Sequence, residues 1–259
     1  MHPKPKKSLG QNFLVDKNIQ EKIIAACNLK KTDTVVEIGP GKGEITKFLL
    51  ATVKKVVAVE IDRALCERLV EQFRPYPNFT LLHADILKTS LAHYKNLKII
   101  ANIPYYISTP IITYLLQYRK QIKVIYLTMQ KELAGRLVAT AGTKAYGSFS
   151  CFTQFYTQPK ILFPIKNTSF WPKPKVDSSF VELKILKTPR VKVKDEELFF
   201  RIIRRGFNQR RKVLTNSLAT IAPIKKLQGA LRGRNLSQTV RAEDLSLEDF
   251  ARLAGCLSG

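Results

Sequence analysis

A cluster of glycines and three polar residues stands where four successive apolar runs end, and this spacing is the first chemical signal in the chain. The stretch "EIGPGKGEIT" reads as strand, turn and helix, with glycines at 39, 41 and 43. Glycine lets a backbone turn sharply and approach a ligand where a side chain would block it. The pattern is G-x-G-x-G, not the G-x-G-x-x-G of dinucleotide binders, and it lacks the G-K-[ST] ending of a phosphate-binding loop. Glu60 closes "VVAVE" 21 residues after Gly39, where a carboxylate can accept hydrogen bonds from both hydroxyls of a ribose. Asp85 closes "LLHAD" and Asn102 closes "KIIAN". Asp and Asn also serve as turn residues at strand ends. Four such positions in register argue for one ligand spanning several loops, since open α/β sheets bind at the carboxyl ends of their strands. The continuation "ANIPYYISTP" is unusual for the end of a buried strand, because it brings an amide, a proline and two adjacent tyrosines.

The elements that must position these residues follow from periodicity. From about residue 32 to 185 short apolar runs alternate with helical patterns, the sign of βαβ units and a largely parallel sheet. "TVVEIG", "KVVAVEI", "FTLLHADI", "LKIIANI" and "VIYLTM" are predicted strands, with "FVELKIL" a later one. Helices are predicted over Glu44 to Leu50 and Ala64 to Phe73, and a further one with Thr109 as N-cap and Pro110 at its first position. The proline-bearing stretch from Lys187 to Arg190 reads as a linker. Beyond it the pattern is helical only: "DEELFFRIIRRGFNQRRKVLTNSL" starts acidic and ends basic, as the helix dipole favours, with Gly206 a point of interruption. Ser246 and Asp249 fit a loose capping box ahead of a last helix, "LEDFARLAGCL".

Composition narrows the class. An apolar fraction of 45% in 259 residues suffices for a real core. Apolar runs fall far short of the roughly 18 residues of a membrane span, so no membrane association is expected. The cysteines, at 27, 66, 151 and 256, form no C-x-x-C pair and read as core residues of a reducing compartment. No histidine shows metal spacing, and no metal is expected. A net charge of +24 exceeds what solubility asks for and points to a polyanion. Residues 181–259 carry +9 and residues 1–180 carry +15, which suggests a long footprint rather than one basic tail.

"KSLGQNFL", "EIGPGKGEIT", "VVAVEID", "HADIL", "NIPYYIS" and "FWPKPKVDSSF", in this order, resemble the S-adenosylmethionine-dependent rRNA adenine dimethyltransferases, above all those acting on two adjacent adenosines near the 3' end of small-subunit rRNA. The resemblance covers nearly the whole chain. It implies an α/β fold, a Rossmann-like methyltransferase sheet over residues 1–187, with a small helical RNA-binding domain over 188–259. It implies that Asn12 and Leu14 close over S-adenosylmethionine, that Gly39 lies beside its methionine part, that Glu60 binds its ribose and that Asp85 contacts its adenine, with Gly41, Ile61 and Ile86 as further cofactor-binding residues. Asn102 would lie between cofactor and substrate, Tyr105 would stack on the flipped target base, and Phe170 would cover its other face. Tyr106 is expected in the core.

The chemistry suits those residues. Adenine's exocyclic amine is a poor nucleophile because its lone pair is delocalised into the ring. The side-chain oxygen of Asn102 and the carbonyl of Pro104 can accept its two N–H bonds and favour a pyramidal nitrogen aimed at a sulfonium methyl. A fixed φ helps proline hold its carbonyl in place, and stacking holds an extruded base at about 1–3 kcal/mol. Arg201, Arg204, Arg205 and Arg211, within "RIIRRGFNQRRK", are candidates for RNA phosphates. Lys4, Lys6 and Lys7 read as an arm that orders when cofactor or RNA binds. The expected partner is the small-subunit rRNA of a pre-30S particle, the expected compartment a bacterial cytoplasm, and the expected state a monomer. Two alternatives remain open from sequence: dimethylation of one adenosine in large-subunit rRNA, and a non-catalytic RNA-binding assembly factor.

Overall fold

The computed structural model describes residues 5–6, 9–104, 107–233 and 236–258. The chain divides into two compact units, one of Met1–Ala134 with Lys160–Ile185 and one of Gly135–Pro159 with Leu186–Gly259. The predicted boundary at 187/188 lies beside the later crossing, while Gly135–Pro159 groups with the C-terminal stretch, on the other side from that expected.

In chain order the first part runs β1 (Phe13–Leu14), α1 (Lys17–Ala26), β2 (Thr34–Ile38), α2 (Thr46–Thr52), β3 (Lys55–Glu60), α3 (Arg63–Phe73), β4 (Phe79–His83), β5 (Leu97–Asn102), α4 (Ser108–Gln117) and β6 (Ile122–Gln130). There follow α5 (Lys131–Val138), α6 (Ser148–Tyr156), β7 (Thr157–Ile165), β8 (Phe170–Trp171) and β9 (Ser178–Ile185), then α7 (Glu196–Asn208), α8 (Leu214–Ser217), α9 (Ile224–Arg232) and α10 (Leu247–Leu257). The main sheet has the order β4-β3-β2-β5-β6-β9-β7. Strands β4 to β6 in that order are parallel, and β9 joins β6 antiparallel. Val35, Val36, Val56, Val57 and Ile99 are fully buried, as continuous apolar runs in a sheet covered on both faces must be. The chain winds outward from β2 to β4, then returns to place β5 on the other side of β2. This reversal between β2 and β5 is where such sheets open a ligand crevice.

The glycine turn is built for close approach. Gly39, Gly41 and Gly43 all have positive φ, +66°, +59° and +82°, which L side chains adopt only under strain. A Cβ on Gly43 would stand 2.5 Å from the ring of Phe73. The turn therefore seats against α3, and α2 starts two residues later than the predicted Glu44.

Other predicted ends also shift. The N-cap of α4 is Ile107, without a side-chain cap, and Pro110 is the third helical residue instead of the first. Proline is tolerated there because first-turn N–H groups have no intrahelical acceptor. In the C-terminal unit α7 runs through Gly206 without interruption. A Cβ there would lie 2.8 Å from that of Ala242, so the glycine answers a packing demand. Asp195 caps α7 by accepting from Leu198 N–H at 2.9 Å. Ser246 and Asp249 form the reciprocal cap of α10. Cys27, Cys66 and Cys151 are buried, whereas Cys256 is exposed, against the core role expected of it.

Candidate active site

The four strand-end positions come together in space. Across the sheet order, Asp85, Glu60, Gly39 and Asn102 follow one another at the carboxyl ends of β4, β3, β2 and β5, and all four line one cleft. The cleft encloses about 1350 Å³, open solvent at its mouth included. Asn12, Leu14, Gly41, Ile61, Ile86, Pro104 and Phe170 line it too. Leu14 and Phe170 are opposite one another on β1 and β8 and are buried, whereas Ile61 is half exposed. Tyr105 and Tyr106 lie outside the described residues.

Glu60 is 5% exposed, and its carboxylate is held by the local backbone. One oxygen accepts from the N–H groups of Ile61 and Asp62 at 2.9 Å each, the other from Gly41 N–H at 3.3 Å. Burial pushes its pKa up, and these three backbone bonds oppose the shift. Asp85 accepts from Leu87 N–H at 2.9 Å, which caps the short turn Ile86–Lys88. One carboxylate oxygen thus does the turn work that a strand-end Asp suggests.

Asn102 is oriented by the N-terminal segment: its Nδ2 donates to the carbonyl of Asn12 at 3.2 Å. The Pro104 carbonyl accepts from Ile107 N–H at 3.2 Å and from the Ser108 hydroxyl at 3.4 Å. The second is well beyond the usual O–H···O distance, so this carbonyl starts a helical turn while one of its two partners is weak.

Glu37, inside β2, also lines the cleft and carried no assignment from sequence. The available signal was an acid within an otherwise apolar strand covered on both faces. It accepts from the Thr46 hydroxyl at 2.7 Å. Burial pushes its pKa up to about 8, the Thr46 bond pulls down, and the nearby Glu60 pushes up again. Because the folded value exceeds the ordinary 4.5, its contribution to stability is complete below that pH. It is lost as pH rises toward 8, where the unfolded chain has released a proton the folded chain retains. The Glu37→Gln variant cannot titrate, so its Tm relative to the unmodified chain is expected to climb by roughly 5–10 °C between pH 5 and pH 8. Calorimetry across that range checks this, and a Tm difference independent of pH would refute it.

Lys6, expected in an arm that orders when cofactor or RNA binds, pairs its ammonium with Asp62 at 2.8 Å. Lys4 and Lys7 lie outside the described residues. In the C-terminal unit Arg201, Arg204 and Arg205 are exposed on α7. Their i, i+3, i+4 spacing sets them on one face, away from the buried Ile202, Ile203 and Gly206. Arg211 is exposed beyond the helix end. Among the described residues there is no cluster suited to a metal and no helix long and apolar enough to cross a membrane.

Comparison with known proteins gives concordant matches. The family model for ribosomal RNA adenine dimethylases matches residues 2–258. Ribosomal RNA small subunit methyltransferase A of Clostridium botulinum (strain Okra / Type B1) is 42% identical over 256 residues, covering 97% of this chain and 93% of the relative. A dimethyladenosine transferase from Plasmodium falciparum superposes with a TM-score of 0.82 at 27% identity, over 93% of this chain and 95% of that one. The 23S rRNA methyltransferase ErmE superposes with a TM-score of 0.76 at 24% identity, over 95% of this chain and 100% of that one, a likeness of fold.

Proposed function

The chain belongs to the ribosomal RNA adenine dimethylase family, and from that membership we propose that it transfers methyl groups from S-adenosylmethionine to N6 of two adjacent adenosines in the 3'-terminal hairpin loop of small-subunit rRNA. One observation carries the choice of subunit: the full-length likeness to small subunit methyltransferase A. The proposed partner is a pre-30S particle in a bacterial cytoplasm, approached by a single copy of the protein.

The cleft fits the proposed cofactor. A Cβ on Gly41 would come within 3.0 Å of the Phe13 ring, so only bare backbone borders a ligand there. Glu60 offers a buried carboxylate to ribose hydroxyls, and Asp85 with Ile86 offers a polar and an apolar edge to a purine. Asn12, Leu14 and Ile61 would cover the remaining sides, with Gly39 and Gly41 against the amino-acid part. When bound, S-adenosylmethionine supplies a methyl group on a positively charged sulfur.

The chain's own residues prepare the nucleophile. Since the Asn102 NH2 is engaged by the Asn12 carbonyl, its oxygen remains to accept one N–H of the target amine. The Pro104 carbonyl accepts the other, in place of its long bond from Ser108. Two acceptors on one amine draw its lone pair out of conjugation with the ring and aim it. No strong base is needed before attack, because the amine becomes acidic only as it gains the methyl group and can then release its extra proton to water at the open mouth of the cleft. The rate comes from positioning and from bonds that strengthen toward the transition state. Phe170 and Tyr105 are proposed to hold the extruded base, and Arg201, Arg204, Arg205 and Arg211 to neutralise RNA phosphates from the C-terminal unit.

The test uses undermethylated ribosomal subunits and labelled S-adenosylmethionine. Label is expected in small-subunit rRNA. Label confined to large-subunit rRNA would overturn the assignment, and binding without label would leave an assembly factor that kept the fold.

A further inference from the structure

We propose that Asp62 is a positioning residue for the methyl-transfer reaction: it ties down the N-terminal segment so that the Asn12 carbonyl holds the Asn102 amide with its oxygen toward the target amine. The inference rests on the function proposed above and names a residue outside the set that resemblance supplied.

Asp62 follows β3 and caps α3 by accepting from Ala64 N–H at 3.0 Å. A cap needs one oxygen, and Ser or Asn would serve as well. Asp62 is nevertheless a carboxylate, 4% exposed, and both its oxygens are used. The capping oxygen also takes the Lys6 ammonium at 2.8 Å, and the second oxygen accepts from Gln11 Nε2 at 3.0 Å. Gln11 closes the loop by accepting from Lys6 N–H at 2.8 Å. Burial would raise the pKa of Asp62, yet the bonds from Lys6, Gln11 and Ala64 hold it below its ordinary value, so the tie is ionic at neutral pH. Among the described residues, residues 5–11 hydrogen-bond to the chain beyond Asn12 only at Asp62.

The next residue after Gln11 is the one that matters to the chemistry. Asn12 donates its own side chain to Gly10 O at 3.1 Å, and its carbonyl receives Asn102 Nδ2 at 3.2 Å. Beyond Asn12 the segment is fixed separately, by pairing of β1 with β8 and by the Ser169 hydroxyl donating to Asp16 at 3.0 Å. The Asn12 carbonyl therefore sits between two anchors, one of them Asp62. An amide rotor is broad and roughly two-fold, so without that carbonyl Asn102 can turn its NH2 toward the target amine. Donor would then face donor, and the acceptor would be lost.

Two variants separate this role from helix capping: Asp62→Ser keeps the cap but loses the charge and the second oxygen, and Lys6→Met leaves the cap untouched. Hydrogen–deuterium exchange of residues 9–15 is expected to quicken several-fold in both. In methyl transfer to small subunits, kcat is expected to fall about tenfold or more, while KM for the subunit stays put. Placed in an Asn102→Ala background, Asp62→Ser is expected to add no further loss, because the amide it serves is gone. Unchanged exchange, unchanged kcat, or losses that multiply in the double variant would each overturn the proposal. An unmodified protein that methylates neither ribosomal subunit would instead overturn the function itself and with it the catalytic half of this inference, and exchange alone would then decide the tie.

Discussion

Replacing Asn102 by alanine is expected to lower kcat for methyl transfer by about 10²–10³-fold, while affinity for small ribosomal subunits changes by less than about twofold. The side chain is partly buried at the end of β5, and among the described residues its hydrogen bond goes to the Asn12 carbonyl. Its loss leaves a small void and one carbonyl that water can reach from the cleft, so folding should survive. What disappears is an acceptor whose bond strengthens as the target nitrogen takes on positive charge, and such an interaction appears in kcat rather than in KM. Asn102→Asp is expected to fare no better. It sets a carboxylate oxygen against the Asn12 carbonyl, acceptor against acceptor. Single-turnover transfer with subunit binding measured in parallel checks both variants. Loss of subunit binding in step with activity would show that Asn102 supports the surface rather than the chemistry.

Glu60→Gln is expected to weaken cofactor binding about 10- to 100-fold, the difference between hydrogen bonds to a charged and to a neutral acceptor. The folded chain already presents three backbone N–H groups to this carboxylate. The amide can satisfy some of them with its oxygen, but its NH2 must then face either Gly41 N–H or the ribose hydroxyls. Either way one acceptor position is lost. Isothermal titration with S-adenosylhomocysteine reads the change directly. An affinity within twofold of the unmodified protein would remove Glu60 from the ribose site and leave it as a local backbone cap.

The parts of this architecture written locally in the chain were legible, and those set by distant partners were not. Strands β2, β3 and β5 are buried on both faces, so their Val and Ile runs announce themselves, and the acids and amide at their ends fall in register for the same reason. Ser246 with Asp249 could be read as a capping box because a cap is a local bond, whereas Asp195, read only as part of the acidic start of its helix, is its N-cap. A strand as short as Phe13–Leu14 has no period to read, and its pairing with Phe170–Trp171 joins segments over 150 residues apart. Asp62 carried no assignment from sequence, since its bonds to Lys6 and Gln11 exist only after folding. Gly206 suggested a break because its close neighbour, Ala242, is remote in sequence. Thr109 with Pro110 suggested a helix start that the structure sets earlier, because the chain already turns at Pro104, whose carbonyl receives Ile107 N–H. The family resemblance supplied roles for the cleft residues, and it passed over Glu37, whose interest lies in how burial shifts its proton.

The most direct measurement is mass mapping of dimethyladenosine in undermethylated small subunits after incubation with the unmodified protein and S-adenosylmethionine. The proposed function predicts two dimethyladenosines on neighbouring positions near the 3' end of the rRNA. A single dimethylated adenosine in large-subunit rRNA, or bound subunits without any methyl transfer, would contradict it.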